Sequence, residues 1–153
     1  MGETRSKGVT VSSFIERLTR EVFRRHSNPW SAWTRLLSAP LFFVAIWNRS
    51  PRGGALLVAW MLANPVVFPE PEDDEAWATR AVLGEEMWIA ERPMDRAMAL
   101  NVGATALGLA GAWGAFRRRL LPTAASAVGL VGLVLGCWRE YALYYERHRD
   151  ERG

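Results

Sequence analysis

Hydrophobic and polar positions in this chain segregate into blocks. Residues 97–116 are an uncharged run of 20, apolar on every side, and residues 120–138 are a second run of 19. Runs of this length fit helices that cross a bilayer. Arg117, Arg118 and Arg119 make the tight turn between them. A weaker version of the pattern lies upstream. Asn28 and Pro29 supply an N-cap and a first helical residue. A helix over residues 29–48 would be about 30 Å long, the thickness of a bilayer core. Its uncharged part, residues 36–47, is short, so Arg35 must snorkel toward the headgroups, and Pro40 predicts a kink. Pro51, Gly53 and Gly54 make a turn. The apolar run over residues 54–68 is interrupted by Asn64-Pro65. Either that pair ends the helix near the interface, or it unwinds a span and exposes a carbonyl to water or a ligand.

The pattern therefore predicts an all-α fold, a four-span transmembrane helical bundle in one membrane domain over residues 1–153. The spans are residues 29–48, 54–68, 97–116 and 120–138. Two polar elements flank them. Residues 11–25 carry a capping box at Ser13 and Glu16. There Val11, Phe14, Ile15, Leu18 and Val22 lie on one side, with Arg17, Arg20, Arg24 and Arg25 around the rest, as in a helix resting on a membrane surface. No apolar leader with a small-residue cleavage site precedes it. Between spans two and three, residues 73–91 predict an acidic interfacial helix, led in by Pro69 and Pro71. Asp73, Asp74 and Glu75 suit its positive N-terminus. Trp77, Ala81, Gly84 and Trp88 fall on one stripe, with Glu85 and Glu86 projecting away.

Charge sharpens this division. From Glu70 to Asp95 nine acids face only Arg80 and Arg92, a net of −7 in a chain whose net is +3. The acidic insert is expected to pair with the basic segments on its own side, Arg24 and Arg25 among them. Apart from Lys7 every basic residue is an arginine, and the arginines gather at the ends of apolar runs. That placement suits lipid headgroups rather than nucleic acid. Four spans put fourteen of the nineteen Lys and Arg on the side of both termini. The positive-inside rule then makes the termini cytoplasmic in a multi-pass protein of the cell membrane, although the Arg117–Arg119 triplet pulls the other way.

Candidate chemistry is sparse. One cysteine, Cys137, excludes an internal disulfide framework, and two histidines, His26 and His148, leave little for a metal site. No His-Glu-x-x-His, phosphate-binding glycine loop or nucleophile elbow occurs. The two strong spans hold only Asn101, Thr105, Thr123 and Ser126 as polar groups at depth, few for a proton-coupled transporter. No catalytic residue, cofactor or metal ligand is assigned. The positions of interest are His26, Asn28, Asn64, Glu85 and Trp88. Ala104, Gly108 and Ala112, with Gly132 and Gly136, make faces through which helices approach closely, within the chain, in a homo-oligomer or against a partner membrane protein. Three readings follow. The first is a structural, interaction or regulatory subunit. The second is a small-solute transporter or channel component using the broken second span. The third is a metal-dependent enzyme acting at the interface through the acidic insert.

The segment His26-Ser27-Asn28-Pro29-Trp30-Ser31, then Asn64-Pro65 with Phe68-Pro69, then Trp77 and Ala81-Val82-Leu83-Gly84-Glu85 with Trp88, resembles an uncharacterised family of small prokaryotic multi-pass membrane proteins, a domain of unknown function. The resemblance covers roughly residues 14–92. It implies a membrane location and supplies no activity, substrate or site residue.

Overall fold

The computed structural model describes residues 25–149. Among them are six helices: α1 (Pro29–Ser38), α2 (Leu41–Trp47), α3 (Pro51–Val67), α4 (Trp77–Glu91), α5 (Arg96–Phe116) and α6 (Leu120–His148), with no strand. The amphipathic segment over residues 11–25 lies outside the described residues except for Arg25.

Local chemistry sets the ends. The Asn28 side chain accepts from the amides of Trp30 and Ser31, with Pro29 in the first turn of α1. Ser50 caps α3 by accepting from the Gly53 amide, again with proline at the start. The Asp95 carboxylate accepts from the Met98 amide and starts α5. Pro40 lacks an N–H and breaks the first apolar stretch into α1 and α2.

Two helices, α5 and α6, are long and apolar enough to cross a membrane, against the four expected. The helix expected over residues 29–48 is divided at Ala39-Pro40, and α3 has 17 residues. Asn64-Pro65 neither unwinds nor ends α3, which continues to Val67. Pro65 only withholds an amide from the turn before it. The helix expected over residues 73–91 begins later, at Trp77. Ala76 caps it without a side-chain bond and no acid lies in its first turn. Asp73 instead accepts from the Glu75 amide, holding the acidic run in a turn that competes with the helix. The last helix runs ten residues past residue 138 and is about 44 Å long at 1.5 Å per residue.

That length gives α6 two roles. Its first half pairs with α5. Its second half is the post against which α4 packs, and the tightest apolar cluster lies there: Ala81, Val82, Met87, Trp88, Trp138 and Tyr141 are all buried. Gly84 makes this approach possible, since a Cβ there would lie 1.9 Å from the Tyr141 carbonyl oxygen. Tyr141, Tyr144 and Tyr145 therefore hold the insert: Tyr144 donates to the Glu91 carboxylate and Tyr145 to Asp74 at 2.8 Å. α2 packs on α5 and α3, while α1 packs on α3 and α4.

Elsewhere on the helices large apolar side chains face outward while several small polar ones are enclosed. Leu62 is 75% exposed, Leu121 82% and Val128 75%, whereas Ser31, Asn64 and Thr79 are each 0% exposed. Only 17% of the most apolar window of α5, and of α6, is buried.

Candidate functional site: a buried polar seam

α1 is apolar except along one edge. Ser31, Thr34 and Ser38 recur at three- and four-residue spacing and so share a face. α3 answers with Trp60 and Asn64, also one turn apart. Ser31 Oγ donates to Asn64 Oδ1 at 2.6 Å, and Asn64 Nδ2 donates to Thr34 Oγ1 at 3.0 Å. Thr34 passes its own hydrogen to the Trp30 carbonyl at 2.7 Å. Further along, Trp60 Nε1 donates to Ser38 Oγ at 3.1 Å. Asn64 is thus bonded through both ends of its amide to α1.

Asn28 extends the seam by donating from Nδ2 to the Pro69 carbonyl at 3.0 Å, so one side chain both starts α1 and holds the chain leaving α3. Arg35 lies beside it. Its Nε donates to the Ser31 carbonyl at 3.1 Å and its Nη2 to the His26 carbonyl at 3.0 Å, and its guanidinium also meets the His26 ring. Burial, helped by the positive charge of Arg35, pushes the His26 pKa down to about 4, so the ring is neutral at pH 7. Glu85 is within electrostatic reach of this cation. Burial raises its carboxyl pKa, and attraction to Arg35 opposes that rise.

Four of the five positions of interest, His26, Asn28, Asn64 and Glu85, therefore gather around α1. Trp88 does not. It lies at the far end of α4, donates from Nε1 to the Asp95 carboxylate at 3.1 Å and packs on Tyr141 with ring centroids 5.5 Å apart. Sequence reasoning missed Ser31, Thr34, Ser38 and Trp60, although the polar spacing on an otherwise apolar helix was the available signal. Trp33 joins Trp77 and Trp138 in a triad with centroids 5.3 to 6.1 Å apart, tying α1, α4 and α6 together.

A separate cleft of about 180 Å³ lies behind α4, lined by Ser27, Glu70, Asp73, Asp74 and Thr79. The Thr79 hydroxyl is buried without a hydrogen-bond partner. No group of three or more His, Cys, Asp or Glu among the described residues is placed to hold a metal ion.

Among the described residues the arrangement is all-helical, with large apolar side chains exposed along several helices, a few polar ones enclosed, and two helices fit to cross a membrane. The chain belongs to the Family of unknown function (DUF6653), which matches residues 13–134. The match takes in the motif segment of residues 14–92 and extends through α5 into the apolar half of α6. No curated protein and no solved structure matches the chain.

Proposed function

We propose that this is an integral membrane protein acting as a structural or interaction subunit, with both hairpins in the bilayer and both termini in the cytoplasm. One observation carries the reading: outward-facing leucine and valine around inward-facing, mutually bonded Ser31, Asn64 and Thr34. In water that exposure would be unfavourable by about 25 cal/mol per Å² of apolar surface. In hydrocarbon it is neutral, while polar groups must be satisfied internally. A soluble protein's long apolar helices are mostly buried, and α5 and α6 are not. The first hairpin shares the pattern through exposed Leu41, Val44, Leu56, Leu62 and Val66. α1 and α2 together, about 28 Å along a kinked axis, are long enough to accompany it.

An interaction role suits the seam better than transport does, because Asn64 is enclosed and bonded at both ends of its amide. Small residues offer a route to assembly. Nothing lies within 4 Å of a Cβ placed at Gly108 or Gly132, so these glycines leave room for a neighbouring helix rather than serving the chain's own packing.

The test is alkaline washing of cell membranes followed by labelling with a membrane-impermeant maleimide. The chain should stay in the pellet. Its own Cys137 is buried. Cysteine at position 52 should label from outside intact cells, and cysteine at position 73 only after lysis. Release into the supernatant overturns the membrane reading, and the reverse labelling pattern overturns the orientation.

A further inference from the structure

We infer that the end of the bundle opposite the acidic insert is a binding site for an anionic phospholipid, an inference that rests on the membrane reading above. Five arginines, Arg49, Arg52, Arg117, Arg118 and Arg119, stand in or beside the two turns at this end, and no acid occurs between residues 22 and 69 or between residues 96 and 139. The turns adjoin, because the Arg49 guanidinium lies over the Phe116 ring at 5.0 Å from its centroid. Arg117 lies likewise over Trp113 at 5.6 Å. Both cations are thus held on the rim of apolar surface, where a headgroup phosphate would sit above its acyl chains.

The backbone supports the same reading. Arg49 and Arg118 have φ of 51° and 52°, the left-handed conformation that usually falls to glycine after a helix. Glycine would make either turn with less strain. Arginine there puts a guanidinium at the helix end at a conformational cost, as Arg92 also does after α4.

Beneath the arginines the bundle is loosely filled. A groove of about 430 Å³ between α2, α3 and α5 is lined by Phe42, Ala45, Ile46, Arg49, Gly54 and Phe116. A second, of about 300 Å³, lies across α2 against α6. Both are apolar, and the first runs up to Arg49. An acyl chain in the groove with its phosphate among the arginines satisfies both halves of this surface. The charges select an anionic lipid over a zwitterionic one.

The experiment is native mass spectrometry of the full chain taken from nanodiscs of phosphatidylcholine containing phosphatidylglycerol as the minor lipid. Each arginine near the surface is worth roughly fivefold in binding an anionic lipid. Retained phosphatidylglycerol should therefore exceed its share of the bulk by about fivefold or more, and the excess should fall as NaCl is raised. Arg49→Gln with Arg117→Gln should lower it severalfold, while Arg139→Gln, at the other end of α6, should leave it unchanged. Gly54→Leu, which fills open space in the groove without touching a charge, should lower total retained lipid. It also keeps the proposal testable if the double arginine variant fails to fold. Retention in bulk proportion, or an excess insensitive to salt, overturns the inference. A chain that does not enter nanodiscs at all overturns the membrane reading instead.

Discussion

At the scale of single residues, His26 and Asn64 show how enclosure sets behaviour. Burial, and then the neighbouring Arg35 cation, keep His26 neutral in the folded chain. Its pKa is near 4 in the folded chain and near 6.5 unfolded. The stability from burying the neutral ring is therefore complete above pH 6.5 and is lost as pH falls from 6.5 to 4. Glu85 runs the other way: its raised pKa makes burial of the carboxylate unfavourable at neutral pH, and acid relieves this. Comparing wild type with His26→Gln isolates the histidine. The wild type should lose about 1–2 kcal/mol relative to the variant over that window, a figure reduced for the ring's remaining exposure. Parallel melting curves in detergent at every pH between 4 and 7 would refute the assignment. Asn64→Ala removes a partner of both Ser31 and Thr34. It should cost about 2 kcal/mol, much of it from stranding the buried Ser31 hydroxyl. In a double-mutant cycle with Ser31→Ala the coupling should be about 1 kcal/mol, and additive losses would mean the 2.6 Å bond contributes little.

At the scale of elements, α6 explains most of the architecture. Its apolar half pairs with α5, and its tyrosine-rich half carries α4, so one rigid rod links the apolar bundle to the acidic cap. The join depends on Gly84. Gly84→Ala would set a methyl against the Tyr141 carbonyl carbon and oxygen, which are backbone atoms that cannot rotate aside. The expected loss is about 3 kcal/mol or more. The same change at Gly132, where a Cβ meets nothing within 4 Å, should be neutral or slightly stabilising through helix propensity. Thermal unfolding of the two variants side by side decides the matter, and equal melting temperatures would show that α4 does not pack on α6 as described.

At the scale of the whole molecule, the sorting of polar and apolar surface leads to assembly. If the Ala104, Gly108 and Ala112 face meets a second copy, Gly108→Leu should shift detergent-purified protein toward monomer without lowering its melting temperature, because the site is empty within one chain. Native mass spectrometry reads this directly, and an unchanged oligomer distribution would remove that face from consideration. Ion pairs within the cap contribute less. Arg80 meets Glu146 at 3.3 Å with both side chains partly exposed, a geometry usually worth under about 1 kcal/mol.

Chain chemistry alone determined the helical class, the Asn28-Pro29 start of α1, the disruption at Pro40 and the two uncharged runs, because these follow from local dihedral preference and from periodicity within a single helix. It also marked His26, Asn28, Asn64 and Glu85, through their unusual settings, without indicating what joins them. Tertiary structure decided the rest. It chose what the inward face of α4 meets, since Gly84 and Trp88 seat that helix on Tyr141 of α6. It made Gly84 and Gly111 the tight contacts and left Gly108 and Gly132 open, because a small residue permits close approach but does not say to what. It made Tyr144, Tyr145, Trp33, Trp77 and Trp138 into contacts between elements. These are relations between residues up to 71 positions apart, as with Asp74 and Tyr145. No local pattern encodes them, because the energy that fixes them exists only once the helices have met.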